Sequence, residues 1–348
     1  MPNPVLTTAI DRLASGRALS AEVAAEALRT IMEGDASEVQ TAAFLIALRT
    51  KGETVDELTG LAQTMRELSL KVVVSEEAAR DGLLDTAGTG GGRPTANVST
   101  TAALVAAGAG CRVAKHGNRS STGLSGSADL LEALGVRIDL EPAAIAECIE
   151  EIGFGFMFAP RHHAAMRHVV PVRKELGVRT VFNFVGPITN PAGASCQVIG
   201  VSDPAFRDTL AGALGALGGR RALVVSSEDG LDEISASAPT RVTELNDGER
   251  RELRIVPEEL GVEPAAPDAL GAGTAEQNAE IARAVLAGDP GPERSVTLLN
   301  AGAAIYVAGR ADDLTAGVRA AEAAIDSGAA AEVLERYAER SRWLVLAS

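Results

Sequence analysis

Apolar residues recur at helical spacing through the first 70 positions. Ser20 precedes Ala-Glu-Val, acidic residues follow at Glu22 and Glu26, and Gly34 ends the apolar set. That is an N-cap, acids at the positive end of a helix dipole, and a glycine stop. A second apolar stretch from Ser37 carries Val39, Ala42, Ala43, Leu45, Ile46 and Leu48 and halts at Gly52. Thr54 then caps a third, with Val55, Leu58, Leu61, Met65 and Leu68. The pattern predicts short antiparallel helices forming a small all-α unit over residues 1–70.

From Lys71 the period changes. Short apolar runs at Leu83–Thr86, Arg112–Lys115, Phe154–Phe158, Gln197–Val201 and Ala222–Ser226 read as strands. Helical patterns separate them at Ser99–Gly108, at Ala128–Leu134, and from Pro142 and Pro204, and more follow at Ala275–Leu286, Thr315–Ile325 and Ala330–Tyr337. Pro264-Ala-Ala-Pro267 reads as a loop. Strands alternating with helices imply right-handed crossovers and an α/β fold, its mostly parallel central sheet flanked by helices. In such sheets ligands sit beyond the carboxyl ends of the strands, so the segments after strands are where chemistry is expected.

The length of 348 residues suits about two domains at roughly 150 residues each. Lys and Arg number 32 against 47 Asp and Glu, a formal charge of −15, and Trp, Tyr and Phe are few at 1, 2 and 7. An acidic surface poor in aromatic rings argues against nucleic acid and against an anionic membrane surface. It leaves anionic metabolites open, because a local site can invert the global field. Cys111, Cys148 and Cys196 show no zinc-ligand spacing and read as buried thiols in a reducing compartment. With no basic-plus-apolar leader and no apolar run of about 18 residues, the expected location is cytoplasmic.

Five segments carry candidate chemistry. Asp85-Thr-Ala-Gly88-Thr-Gly90-Gly91-Gly92-Arg-Pro-Thr95-Ala-Asn97-Val98-Ser99-Thr100 runs from a strand through four glycines into a hydroxyl-rich helix start. Glycines admit close backbone approach, and amides at a helix N-terminus bind phosphate. It is neither a Walker loop nor Gly-x-Gly-x-x-Gly, and a plain strand-to-helix turn capped by Ser99 is the alternative. Lys115-His116-Gly117-Asn118-Arg119-Ser120-Ser121-Thr122-Gly123 follows a second strand with dense donors suited to phosphate and ribose oxygens; a solvated basic loop is the alternative. Ser125-Gly126-Ser127-Ala-Asp129 opens the next helix.

Arg161-His162-His163-Ala-Ala-Met-Arg-His168 precedes Arg173. No helical pair of histidines is completed by Cys or Glu, which disfavours zinc; Arg173 could grip a carboxylate bidentately or form a surface ion pair. Asp229-Gly-Leu-Asp232-Glu233 follows a strand, and adjacent carboxylates there suit Mg²⁺ beside substrate phosphates. Asn183-Phe-Val-Gly186-Pro-Ile-Thr-Asn190-Pro191 reads only as a rigid loop.

Taken in order, Gly88-Thr-Gly-Gly91, Asn97-Val-Ser-Thr100, Lys115-His-Gly-Asn-Arg119, Gly126-Ser-Ala-Asp129, Gly186-Pro-Ile-Thr-Asn-Pro191 and Asp232-Glu233 resemble the motifs of the anthranilate phosphoribosyltransferase family, within the nucleoside phosphorylase and phosphoribosyltransferase fold. The likeness spans nearly the whole chain. It implies a small helical domain of residues 1–70 joined by mid-chain helices near 165–182, a large α/β domain of 71–164 and 183–348, a hinge between them, and a homodimer. It implies transfer of phosphoribose from 5-phosphoribosyl 1-diphosphate (PRPP) to the amine of anthranilate, with two Mg²⁺ ions.

Carried over residue by residue, the resemblance implies that Gly88, Gly91, Gly92, Thr95, Asn97, Val98, Ser99, Thr100 and Ser127 hold PRPP, as do Lys115, His116, Gly117, Asn118, Arg119, Ser120, Ser121, Thr122 and Gly123. Ser99, Asp232 and Glu233 would hold metal. Gly88, Asn118 and Arg173 would hold anthranilate, with His116 as candidate proton acceptor. This chain departs from the family pattern at Gly92, where an acid is usual, in a loop one residue shorter before Asn97, and at Ala164, where proline is usual. A pyrimidine nucleoside phosphorylase, which would take orthophosphate, and a non-enzymatic nucleic-acid-binding module are the competing readings; the Asp232-Glu233 pair and the acidic composition disfavour them.

Overall fold

A computed structural model gives the fold and describes residues 1–93, 95–120, 124–266 and 268–347. Ser121, Thr122 and Gly123 of the basic loop, and Pro267, lie outside them.

Four helices open the chain: α1 (Pro4–Ala14), α2 (Ala21–Met32), α3 (Glu38–Lys51) and α4 (Val55–Glu67). Ser20, Ser37 and Thr54 cap α2, α3 and α4 with their side-chain oxygens, and Thr54 completes a capping box with Glu57. Glu57 is fully buried yet satisfied. Its carboxylate accepts from the Leu19 and Thr54 amides and from Lys51 Nζ, each at 2.9 Å. One side chain thus ties the α1–α2 link, the end of α3 and the start of α4 together.

The rest of the chain continues through α5 (Glu76–Asp81), β1 (Leu84–Gly88), α6 (Val98–Gly108), β2 (Val113–Gly117), α7 (Ser127–Ala133), α8 (Pro142–Ile152), β3 (Phe154–Phe158), α9 (Ala159–His162), α10 (Val170–Leu176) and α11 (Phe182–Val185). It then runs through β4 (Cys196–Gly200), α12 (Arg207–Ala216), β5 (Arg221–Ser227), β6 (Thr240–Asn246), β7 (Glu249–Ile255), α13 (Ala275–Leu286), α14 (Pro292–Val307), α15 (Leu314–Asp326) and α16 (Ala329–Ala347). The strands form one sheet ordered β3-β2-β1-β4-β5-β6-β7. Its first five members pair in parallel, and β6 and β7 add an antiparallel hairpin.

Strand residues alternate between two cores. Val198, Leu223 and Val225 join the cluster built on α6, α14 and the C-terminal helices, while Ile199, Ala222 and Val224 face the cluster that includes α1–α4, α12, Val169, Val172 and Val181. Both faces are covered, as parallel sheets require. Helix α6 is buried from Val98 to Ala107 except at Ser99, so it forms the centre of the first cluster rather than a surface helix. The chain leaves β1 toward β2 on one side and returns at β4 on the other, which puts the topological switch point at the carboxyl ends of β1 and β4.

The parallel strands fall where the alternating pattern places them. The β6–β7 hairpin and helix α14 do not announce themselves in that pattern. Strand β7 reads Glu-Arg-Arg-Glu-Leu-Arg-Ile and is exposed at nearly every position, the charged composition that protects a sheet edge from further pairing. Its turn, Asp247 at φ 47° and Gly248 at φ 91°, has the two left-handed residues of a tight hairpin. Helix α14 is buried on almost every side and so has no apolar stripe.

Replacing Glu57 with Ala leaves Lys51 and two backbone amides without their buried acceptor. The expected loss is about 3 kcal/mol of unfolding free energy, read from urea unfolding; a loss under about 1 kcal/mol would show that solvent replaces the carboxylate readily.

Candidate active site

A cleft of about 500 Å³ opens beyond the strand ends. It is lined from β1 by Gly88 to Arg93, from β2 by Lys115 to Ser120, from the segment after β5 by Asp232 and Glu233, and from the mid-chain helices by Arg173, Phe182 and Asn183. Ala272, Gly273 and Asn278 close its C-terminal side.

The glycine loop is defined by what lies against it. Thr89 N–H donates to the Gly200 carbonyl at 2.8 Å and Arg93 N–H to that of Gly230 at 3.1 Å. A Cβ at Gly200 would stand 1.5 Å from the Asp232 carbonyl oxygen, so only glycine lets the acidic segment settle on the end of β4. A Cβ at Gly92 would meet Asp232 Oδ1 at 2.6 Å and its amide at 2.8 Å. The shortened loop therefore has no room for the acid that the resemblance leads one to expect at 92. On the far side Arg179 donates to the Gly90 carbonyl at 2.7 Å and the Thr89 carbonyl at 3.3 Å, its guanidinium over the Phe184 ring. Arg49 of α3 holds the Arg179 carbonyl at 2.8 Å, so the loop is braced from the helical unit.

Beneath the loop lies a buried ionic group. Lys115, 1% exposed, directs Nζ to the Thr86 carbonyl at 2.6 Å, Thr86 Oγ1 at 3.2 Å and Ser99 Oγ at 3.4 Å. Burial pushes its pKa down to about 8 against the opposing pull of Asp85 and Glu233. Asp85 is fully buried and accepts from Asn190 Nδ2 at 2.7 Å and from the His116 amide at 3.1 Å. Burial pushes it up to about 6, with Lys115 and Asn190 pulling the other way. Asn190 also donates to the Ala114 carbonyl at 2.8 Å, which gives the Asn-Pro loop a role in the site.

Glu233 accepts from Thr95 Oγ1 at 3.1 Å. Burial, then the charge of Asp232 beside it, raises its pKa, and burial raises that of Asp232. Two crowded carboxylates with a serine hydroxyl alongside make an oxygen-donor set that gains from a hard cation. Among the described residues no cluster of three or more His, Cys, Asp or Glu forms a metal cage.

In the basic loop, Asp129 accepts from the Ser120 amide at 3.2 Å and the Gly126 amide at 2.8 Å and so fixes both of its ends. Arg119 lies at the rim, with its guanidinium on Asp129 at 2.7 Å and Glu132 at 2.6 Å. Its charge therefore serves the loop. The His116 ring packs 5.1 Å from that of His163, and its Nε2 is buried without a partner. Burial, then His163 and His162, hold its pKa well below the usual value, so the imidazole is neutral. Arg173 enters from α10, its guanidinium 5.5 Å over Phe182 and its Nε without a partner.

Of the residues expected at the site, Gly88, Gly91, Gly92, Thr95, Asn97, Ser99, Lys115, His116, Gly117, Asn118, Arg119, Ser120, Ser127, Arg173, Asp232 and Glu233 line this one cleft. Val98 and Thr100 do not; they turn into the core from the first turn of α6. Three residues that the motifs gave no role belong to the same arrangement: Asp85, Arg179 and Asn278.

A model described as the α/β domain of the glycosyl transferase family matches residues 80–331, and one described as that family's helical bundle domain matches residues 7–69. The anthranilate phosphoribosyltransferase of Rubrobacter xylanophilus is 52% identical over 342 residues, 98% of each chain. The chain belongs to the anthranilate phosphoribosyltransferase family. The crystal structure of the Thermus thermophilus member superposes with a TM-score of 0.90 at 45% identity, covering 96% of this chain and 99% of that one. The Saccharomyces cerevisiae member in complex with PRPP and Mg superposes with a TM-score of 0.86 at 27% identity, covering 97% and 98%. The yeast protein is also known in complex with 4-fluoroanthranilate.

Asp85 gives this family member a testable pH signature. Between the ordinary carboxylate value of 3.8 and its raised value of about 6, the folded chain holds a proton that the unfolded chain has released. Its contribution to stability therefore falls as pH rises through that window. Relative to Asp85→Asn, the unfolding free energy of the parent should decline by about 1 kcal/mol per pH unit there. Parallel pH profiles for the two proteins would show that Asp85 does not titrate in this way.

Proposed function

We propose that this chain transfers the phosphoribosyl group of PRPP to the amino group of anthranilate, giving N-(5-phosphoribosyl)anthranilate and diphosphate in L-tryptophan biosynthesis. The observation that carries the reading is the convergence, in one cleft, of a glycine loop and helix start, a buried lysine, a buried acid pair and an arginine on the facing helix. The naming of relatives half identical to this chain, and the PRPP and Mg of the yeast complex, support it.

Ser99, Asp232 and Glu233 would hold Mg²⁺, and two ions are part of the proposal. Bound there, the metal neutralises charge that gathers on the departing diphosphate. The glycine-loop amides and the start of α6 bind phosphate oxygens and fix the ribose carbon C1, so positioning supplies part of the rate. Arg173 grips the anthranilate carboxylate and aims the amine at C1, with Asn118 and Gly88 against the ring. The neutral amine attacks, the C1–N bond forms as the bond from C1 to diphosphate breaks, and the amine then loses a proton. Water or His116 Nε2 takes that proton.

The helical unit, residues 1–70 with 165–182, closes on the remainder (71–164 and 183–348) and excludes water that would hydrolyse PRPP. A homodimer through the apolar helices of the first 70 residues and a cytoplasmic location complete the proposal. Val39 on α3 stands 78% exposed, as such a contact would use. Among the described residues no helix is long and apolar enough to cross a membrane.

The deciding experiment mixes the protein with PRPP, Mg²⁺ and anthranilate and follows the loss of anthranilate fluorescence, with EDTA as control. Metal-dependent loss is expected. No loss from folded protein, with nucleoside cleavage by orthophosphate instead, would move the chain to the phosphorylase reaction. Arg173→Ala should raise the KM for anthranilate about tenfold or more with little change in that for PRPP. Asp232→Asn should raise the Mg²⁺ concentration needed for half-maximal rate. Near-normal turnover in His116→Ala would assign the proton to solvent.

A further inference from the structure

Asn97 departs from the usual behaviour of a helix start, and the departure leads to Asn278. An asparagine at the N-cap ordinarily turns its side-chain oxygen onto the N–H groups of the second or third helical residue. At α6 the side chain makes no such bond, and the Asn97 backbone is left-handed at φ 55°, ψ 42°. The amide is turned outward instead. Its Oδ1 accepts from Asn278 Nδ2 at 2.7 Å, and its Nδ2 donates to the Ser125 carbonyl at 3.1 Å. Asn278 Oδ1 in turn accepts the Gly273 N–H at 2.9 Å. A backbone N–H only donates and a carbonyl only accepts. The two ends therefore fix the polarity of the whole row, and each amide has one allowed orientation.

Asn278 is 1% exposed and lies in the first turn of α13, 181 residues from its partner. Closing the loop at Gly273 needs only its oxygen. The nitrogen serves Asn97 alone, and the cleft contains both residues. Held away, the Asn97 side chain makes no bond to the first turn of α6, whose Ser99 lines the cleft.

We propose that Asn278 is a positioning residue for phosphoribosyl transfer: it holds the Asn97 amide off the start of α6 and so keeps that helix end available to phosphate. The proposal rests on the PRPP reading above. The Thr100 N–H already bonds the Asn97 carbonyl at 3.1 Å, so capping by the Asn97 side chain and binding of an anion compete for the Ser99 N–H, and Asn278 decides the competition.

The test is Asn278→Asp. Aspartate keeps an oxygen for Gly273 but has no donor for Asn97. Were Asn97 to flip and donate to it, its own oxygen would face the Ser125 carbonyl. The released residue relaxes from its left-handed backbone to the extended one in which its side chain caps α6. In calorimetric titration with PRPP and Mg²⁺, without anthranilate, binding should weaken at least about tenfold. The KM for PRPP should rise in step, while the KM for anthranilate and the thermal midpoint stay close to those of the parent. In an Asn97→Ala background the aspartate substitution should then cost almost nothing further.

PRPP binding by Asn278→Asp within about twofold of the parent, or a penalty undiminished in the Asn97→Ala background, overturns the proposal. Asn278→Ser is carried through the same cycle, so that a folding failure of the aspartate variant does not stop the test. A parent that binds no PRPP overturns the function and this inference together; a parent that binds beside an unimpaired variant overturns only this inference.

Discussion

The site is organised by the burial of Lys115. An ammonium group that is 1% exposed must be surrounded by oxygens and balanced by negative charge, since uncompensated burial costs several kcal/mol. The sheet provides both. Parallel pairing of β1 with β2 sets Thr86 and its carbonyl beneath the lysine and brings Asp85 close enough to oppose its neutralisation. The start of α6 adds the Ser99 hydroxyl, and the segment after β5 adds the charge of Glu233. Strand order, helix placement and loop path all meet at one nitrogen.

That balance is incomplete in a useful direction. Burial holds Asp232 and Glu233 toward their protonated forms, and at Glu233 repulsion from Asp232 adds to it. On the proposed reading, a divalent cation held there would relieve that repulsion and bridge the acid pair to a polyphosphate within an acidic chain. Close backbone approach makes the geometry possible. Gly200 lets the acidic segment lie on the end of β4, and Gly92 lets the glycine loop lie on Asp232. Arg179 donates to the loop carbonyls and is itself held by Arg49 of α3, so the glycine loop is joined directly to the helical unit.

Much of this was legible in the sequence because function sits at strand ends, and strand ends carry turn chemistry. The glycines after β1, the donors after β2 and the acids after β5 each follow an apolar run and stand out from it. What was not legible follows equally from physics. Asp85 lies inside the strand whose pattern it interrupts, and nothing local says that its partners are Asn190 and Lys115. Arg179, between α10 and α11, and Asn278, on α13, look like ordinary polar positions; their partners are 89 and 181 residues away. The sequence alternative makes Ser99 the cap; the structure puts Asn97 at that position with its side chain turned away. The β6–β7 hairpin escaped because a charged edge strand lacks an apolar face. Gly92 was visible as a departure, but its reason, the closeness of Asp232, is purely spatial.

The account turns on the claim that the acid pair makes polyanion binding depend on metal. The direct measurement is calorimetric titration of PRPP into the protein with Mg²⁺ and with EDTA, repeated on Glu233→Ala. The account predicts binding at least about tenfold tighter with Mg²⁺ for the parent, and a difference that largely disappears in the variant. Equal affinity with and without the metal in the parent would contradict it, and would leave Lys115 and the helix start as the whole of the phosphate site.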